Sequence, residues 1–205
     1  TGFAVPPATI WALALGFGFY TTLEVGVLGM LPAYLSEAWS FSIATAGVVT
    51  GVTSAATIAG SFAAARLLGA GEGARRPLTL VAIGLALPAV LFFIGFPGGG
   101  LASHLSGLTV AGAVIAANAV SGLVAAIAFA RLPALLRRSG AALSLVTASS
   151  GVFAQFGAAG SLIGPPLVGH VASLWGWPTV APVVAGLSVL SFAGFALGER
   201  LAGKA

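Results

Sequence analysis

The stretch TIWALALGFGFYTTLEVGVLGMLPAYL, residues 9–35, decides the fold class of this chain. Its side chains are almost all apolar, and Glu24 is its one charged residue. An α-helix needs about 20 apolar residues to cross the roughly 30 Å of hydrocarbon in a bilayer. The stretch therefore predicts a membrane-spanning helix that carries an acidic side chain inside the membrane.

Five further apolar stretches of comparable length follow the first. The predicted spans are residues 9–35, 42–67, 78–96, 108–131, 141–170 and 179–197. Only 6% of the residues are charged, which is far below the share in a soluble domain. We therefore predict an all-α, polytopic membrane protein, in which residues 1–205 form a single bundle of six transmembrane helices embedded in a lipid bilayer.

The basic residues distinguish the two sides of the predicted bundle. The second and fourth connections, together with the span ends that border them, and the C-terminal tail contain all eight Lys and Arg residues, whereas the third and fifth connections contain no Lys, Arg, Asp or Glu. The basic loop residues are Arg66, Arg75, Arg76, Arg131, Arg137 and Arg138. Short basic loops remain in the cytoplasm because the cytoplasmic leaflet is anionic and translocating them is costly. Both termini are therefore expected in the cytoplasm, as in a multi-pass protein of a bacterial inner membrane.

The net charge of +4 has the same explanation. In a soluble protein it would favour nucleic acid as a partner, but here the basic loops face anionic headgroups, and no nucleic-acid partner is expected. The chain contains no Cys, which excludes disulfides and thiol catalysis. His104 and His170 fall at the ends of spans with no carboxylate beside them, so we expect neither a metal site nor a cofactor.

Polar side chains are concentrated in four of the six spans. The first, second, fourth and fifth spans carry most of the hydroxyl, amide and carboxyl groups, whereas the third and sixth are largely apolar. Polar spans face protein or water, and apolar spans face lipid. The order polar, polar, apolar occurs twice, which predicts two three-helix repeats of inverted topology around a shared cavity.

Glu24, Asn118 and Gln155 are the strongly polar side chains within these spans. At a rise of about 1.5 Å per residue, Asn118 lies about 15 Å and Gln155 about 21 Å from an end of its span. All three are therefore predicted near the middle of the membrane. A carboxyl group in apolar surroundings is able to bind and release a proton, and Tyr20, one turn before Glu24, is placed to bond it or a ligand.

Glu24, Tyr20, Asn118 and Gln155 are thus the candidate proton or substrate residues. Two structural alternatives stay open. Glu24 could remain protonated and only hold neighbouring helices together, and the two amides could be interhelical contacts.

The fifth span contains the stretch GVFAQFGAAGSLIGPPLVG, residues 151–169. Its glycines leave flat surfaces against which another helix can pack closely. Pro165 and Pro166 lack a backbone N–H and weaken the helix near its end. The pattern predicts either a bending site or a closely packed helix with a fixed kink.

This stretch resembles the glycine-proline motif G-x8-G-x3-G-P-x2-G-G of the major facilitator superfamily. The matching residues are Gly151, Gly160, Gly164, Pro165 and Gly169, and Val168 replaces the first glycine of the final pair. Trp175, Gly176 and Trp177 resemble the turn that precedes the next span in that family. The basic loop after the second span lacks the Asp of the family's loop motif, which favours the C-terminal half.

The resemblance implies half of a secondary transporter that moves a small-molecule substrate by alternating access. Its partner would be a complementary six-helix half or a second copy of the chain. A channel remains the main alternative, although Asn118 is followed by Ala119 and Val120 rather than by the Pro-Ala of water channels. A non-transporting scaffold also remains open. An enzyme is not expected, because no phosphate-binding loop and no membrane Ser-His pair is recognisable.

Overall fold

The computed structural model describes residues 5–68, 73–95 and 104–203. These residues form helices and turns, without a β-strand among them. The helices are α1 Ala8–Trp39, α2 Ile43–Leu68, α3 Arg75–Gly84, α4 Leu87–Ile94, α5 Gly107–Arg138, α6 Val146–Trp175 and α7 Val180–Ala202. Six stretches are long and apolar enough to cross a membrane, with α3 and α4 contributing to one stretch. The predicted all-helical fold, with six stretches long and apolar enough to span a membrane, is thereby confirmed for the described residues.

The arginines lie within helices or at their ends, and not in the predicted loops. The placement of Arg131, Arg137 and Arg138 in a loop is wrong, because α5 continues through all three residues. Arg66 lies in the last turn of α2, and α3 begins at Arg75 and Arg76. A span predicted from hydropathy ends where charged residues begin. The backbone hydrogen bonds of the helix can continue past that point, because arginine is itself a good helix former.

The third span is interrupted between α3 and α4, where a continuous helix over residues 78–96 was predicted. Pro88 lies in the first turn of α4 and has no N–H to donate to the Gly84 carbonyl one turn earlier. Gly84 itself lies against the side chain of Val124 on α5. The interruption therefore follows from the Gly and Pro residues that flank it. Phe96, the predicted end of this span, is outside the described residues.

Helix α1 lies at the centre of the bundle and packs most extensively along α6 and α7, while α5 packs along α2. Glycines allow these close approaches: Gly16 of α1 faces Gly194 of α7, and Gly122 of α5 faces Gly60 of α2. Without a hydrophobic drive in lipid, helices associate through such small-residue contacts. The core thus consists of closely packed helix pairs, with α1 at the centre.

Contacts between helix ends define the two ends of the bundle. At one end, Gly198 of α7 packs on the Thr9 carbonyl of α1. At the other end, Gly107 of α5 packs on Phe41, which precedes α2. The described arginines all lie toward the first of these ends, which we call the basic end: Arg66, Arg75, Arg76, Arg131, Arg137, Arg138 and Arg200. Lys204, the remaining basic residue, is outside the described part of the chain.

Candidate functional site

Tyr20 and Glu24 lie in the middle of α1. By the helical rise of about 1.5 Å per residue, Glu24 is about 24 Å from the first residue of the helix and about 22 Å from the last. The Tyr20 side chain is 1% exposed, and its hydroxyl donates to the Ser121 carbonyl of α5 at 3.0 Å. The half-buried Glu24 follows Tyr20 by one turn on the same face of α1, so its carboxyl group is the neighbour of this hydroxyl along the helix. A polar cluster therefore connects α1 and α5 at mid-bundle.

Asn118 lies one turn from Ser121 on α5 and is fully buried. Helices α1 and α5 are antiparallel, since Tyr20 contacts Ser121 while the earlier Phe17 contacts the later Phe129. Glu24 and Asn118 are therefore each one turn beyond the Tyr20–Ser121 contact, in the same direction along the bundle. The Asn118 amide nitrogen donates to the Val114 carbonyl at 3.3 Å. Its side-chain oxygen has no hydrogen-bond partner among the described residues.

Gln155 does not join this cluster. Its side chain is exposed, because the inward positions on this part of α6 belong to Phe153 and Gly157. The sequence grouped Glu24, Asn118 and Gln155 by depth alone. The structure brings Tyr20 and Glu24 together, places Asn118 at their level on α5, and leaves Gln155 on an uncovered face.

Aromatic rings pack on the side of Tyr20 that faces the basic end. Phe17 lies one turn before Tyr20, and their ring centroids are 5.9 Å apart in a stacked arrangement. Phe129 of α5 and Phe153 of α6 each lie 5.5 Å from Phe17. Such pairs add packing energy beyond their buried area. Rings from three helices thus form an apolar layer between the polar cluster and the basic end.

The glycine-proline stretch packs along α1, and α6 continues through both prolines. Gly160 lies against the Gly18 carbonyl and Gly164 against the Gly26 backbone, so the two helix backbones nearly touch. Gly169 contacts the Met30 side chain, and the Pro165 ring lies against Gly29. Close packing is therefore the role that these contacts support. Gly151 takes no part in this contact, since the space beside it is open.

An ion cluster at the basic end was not anticipated from the sequence. Glu199 of α7 accepts from Nε of Arg131 at 2.7 Å, from its Nη2 at 2.9 Å and from Nη1 of Arg138 at 2.5 Å. Glu199 and Arg131 are both 4% exposed. The sequence offered one signal, an acidic residue directly after the apolar sixth span. It was missed because the sixth span was predicted to end at residue 197, two residues before Glu199, whereas α7 continues to Ala202.

At the end opposite to the basic end, aromatic side chains connect the termini of four helices. The Tyr34 hydroxyl of α1 donates to the Ile94 carbonyl of α4 and accepts from the Trp39 indole at 2.7 Å. The Trp177 indole, between α6 and α7, donates to Glu37 at 2.9 Å. A small apolar cavity of about 30 Å³ lies beneath Tyr34 and Trp177. These bonds fix the ends of α1, α4, α6 and α7 relative to one another.

In the described part of the chain, no group of three or more His, Asp or Glu side chains is arranged to hold a metal ion. Comparison with protein-family models finds no match, and comparison with curated proteins finds no significant match.

Proposed function

We propose that this chain is one six-helix half of a secondary transporter of the major facilitator type, which moves a small solute by proton-coupled alternating access. The observation that carries the proposal is Glu24, a half-buried carboxyl group in the middle of the central helix, beside a buried tyrosine that bridges to α5. Ionisable groups inside a membrane are costly and mark pathways for ions, protons or substrates.

The uncovered faces of α2 and α6 support a second bundle as the partner. In the most apolar stretch of α1, 67% of the residues are buried, against 17% in α2 and 28% in α6. Open space lies beside Gly47 and Gly51 of α2 and beside Gly151 of α6. Small residues that have no neighbour among the described residues suit close packing against helices of another bundle. We therefore propose that the complementary six-helix half covers these two faces.

The helix pairing supports the two inverted three-helix repeats. The first span packs with the fifth as α1 with α6, and the fourth packs with the second as α5 with α2. If spans one to three correspond to spans four to six, the pair formed by spans one and five corresponds to the pair formed by spans four and two. A two-fold relation between the repeats requires this correspondence. Each repeat has an odd number of spans, so this correspondence also inverts the direction of each helix. In this arrangement the basic end faces the cytoplasm of a bacterial cell, with both termini on that side.

The distribution of charge bears on the substrate. The described arginines lie at the basic end and the two histidines lie near the opposite helix ends, so none shares the level of Glu24. This half therefore offers one acidic group and several hydroxyl and amide groups to a solute at mid-membrane. A neutral or cationic solute fits that set. An anionic solute would need its positive partner from the complementary half.

The proposed cycle uses the cost of burying a charge. Protonated Glu24 is neutral, so a cavity that contains it can close at a lower desolvation cost than with an ionised carboxylate. Rocking of the two halves would expose Glu24 to one side and then to the other. Proton binding on one side and release on the other would couple the proton gradient to solute movement.

The test is proton flux in vesicles loaded with a pH-sensitive dye. The chain would be reconstituted with and without its complementary half, and flux would be recorded over a panel of neutral and cationic solutes. The variant is Glu24→Gln. The matched control is Glu37→Gln, which removes the other acidic residue of α1, located at its exposed end beside Trp177.

Solute-dependent flux that requires both halves, is lost in Glu24→Gln and persists in Glu37→Gln is the expected result. Equal solute-driven flux in wild type and Glu24→Gln would reject proton handling by Glu24. Non-saturating flux through the isolated chain would indicate a channel instead of a transporter half.

A further inference from the structure

The Tyr20 hydroxyl occupies a position where one hydrogen serves two possible acceptors. It donates to the Ser121 carbonyl at 3.0 Å, and the Ser121 hydroxyl lies 3.4 Å from its oxygen. The Glu24 carboxyl group, one turn later on the same face of α1, is its neighbour along the helix. A phenol has a single hydrogen and accepts through its lone pairs. While that hydrogen points to Ser121, the phenol presents only lone pairs to Glu24.

This arrangement fits one protonation state of Glu24. A protonated carboxyl group can donate its own hydrogen to the Tyr20 oxygen, so both bonds form together. An ionised carboxylate is a pure acceptor and faces a second acceptor. The conflict is removed if Tyr20 turns its hydrogen from the Ser121 carbonyl toward the carboxylate, because a charge-assisted bond is shorter and stronger than a neutral one.

We propose that the Tyr20 hydroxyl transmits the protonation state of Glu24 to the contact between α1 and α5. With Glu24 protonated, Tyr20 bonds to the Ser121 carbonyl and ties the two helices together. When Glu24 releases its proton to water, the Tyr20 hydrogen rotates to the carboxylate and the interhelical bond is lost. The tyrosine keeps its own hydrogen throughout. The proposal rests on the proposed function, in which Glu24 is the proton carrier.

The surroundings of Tyr20 favour rotation of the hydroxyl over movement of the ring. The side chain is 1% exposed, and its ring stacks on Phe17, which is itself packed on Phe129 and Phe153. Closely packed rings have little space to move. The hydroxyl hydrogen can still rotate about the C–O bond. Loss of the hydrogen bond to α5 would then change the packing of α1 against α5 and α6, because the aromatic rings connect these helices.

Other charged side chains on the helices around α1 lie away from Glu24. They are Arg66 on α2, Arg131, Arg137 and Arg138 on α5, His170 on α6, and Glu199 and Arg200 on α7. Arg131, the nearest of the α5 arginines to Ser121, is ten residues or about 15 Å along the helix. On α1 itself, Glu37 is thirteen residues or about 20 Å from Glu24. Tyr20 is thus the titratable neighbour of Glu24 in the described chain.

The test measures the distance between α1 and α5 as a function of pH. The chain has no Cys, so Leu15→Cys on α1 and Ala116→Cys on α5, both at exposed positions, provide two spin-label sites. In the labelled parent, the distance distribution should differ between acidic and alkaline pH. Glu24→Gln should hold the acidic distribution at every pH, and Tyr20→Phe should hold the alkaline one.

Ser121→Ala is the matched control, because it removes the serine hydroxyl and leaves the carbonyl that accepts the tyrosine hydrogen. It should keep the pH-dependent change. A parent whose distance does not depend on pH, or a Tyr20→Phe variant that responds as the parent does, would overturn the proposal.

A second measurement needs no change at Tyr20. The chain has two tyrosines, so Tyr34→Phe leaves Tyr20 as the only source of a tyrosine signal. In infrared difference spectra, ionisation of Glu24 should be accompanied by a shift of the tyrosine C–O band, and Glu24→Gln should abolish both signals. Ionisation of Glu24 with an unchanged tyrosine band would overturn the proposal.

These results separate the two proposals. If Glu24→Gln abolishes solute-driven proton flux while Tyr20→Phe keeps the pH-dependent distance change, the transport function stands and the role of Tyr20 is rejected. If flux never depends on Glu24 but the distance change follows the expected pattern, the proposed transport function is rejected and the role of Tyr20 stands.

Discussion

Removal of the Glu199 carboxylate should destabilise the bundle strongly. Glu199 is 4% exposed and accepts hydrogen bonds from Arg131, which is also 4% exposed, and from Arg138. Glu199→Ala leaves the Arg131 guanidinium buried without its carboxylate. Removal of one partner of a buried ion pair costs about 3–5 kcal/mol, whereas exposed pairs contribute about 0–1 kcal/mol. We therefore expect the free energy of unfolding to fall by about 3–5 kcal/mol.

The assay is unfolding by denaturing detergent in mixed micelles, followed by the fluorescence of the four tryptophans. The matched control is Arg200→Ala, which removes the adjacent, exposed charge and should change stability little. The double variant Glu199→Leu with Arg131→Leu should recover most of the loss, because replacing both members of a buried pair by apolar groups is often neutral or stabilising. A Glu199→Ala protein as stable as Arg200→Ala would show that the buried ion cluster does not stabilise the bundle.

Two further predictions concern packing and the buried amide. A Cβ at Gly164 would lie 2.8 Å from the Gly26 nitrogen and 3.0 Å from its Cα, so Gly164→Ala should force α1 and α6 apart and cost about 1–3 kcal/mol in the same unfolding assay. Gly151→Ala, in open space on the same helix, is its control and should be neutral or slightly stabilising; equal losses in the two variants would contradict the packing role. Asn118→Leu removes a buried side-chain oxygen that has no hydrogen-bond partner among the described residues, so stability should be kept or raised by up to about 1–3 kcal/mol. Reduced solute flux in that stable variant would assign Asn118 to the transport site, and unchanged flux would leave it a packing residue.

The candidate site was predicted in part. Tyr20 and Glu24 lie on one face of α1, as expected, because residues four apart on a helix share a face whatever surrounds the helix. Asn118 and Gln155 were matched to Glu24 by depth, which follows from residue number at about 1.5 Å per residue. The direction in which each side chain points depends on how its helix is rotated. Asn118 proved fully buried and Gln155 exposed, and the sequence pattern did not separate them.

The ion cluster illustrates a second limit. Arg131 and Glu199 are 68 residues apart in the chain, and each lies at the edge of an apolar stretch where a loop is the simplest expectation. Their pairing depends on the length to which α5 and α7 extend beyond those stretches and on the approach of the two helices. Neither is a local property of the sequence, so the buried pair was not anticipated.

The sequence alone is sufficient to predict an all-helical chain with six stretches long and apolar enough to span a membrane, and with its basic residues toward one end. These features follow from the lengths of the apolar stretches and from the positions of the charged residues along the chain. The thickness of a bilayer sets the length that an apolar helix needs to span it. The pairing of the helices, the rotation of each helix and the uncovered faces of α2 and α6 follow from the tertiary structure alone. Successive residues on a helix point about 100° apart, so these features depend on packing between distant segments, above all on the places where Gly164 and Gly26 let two backbones meet.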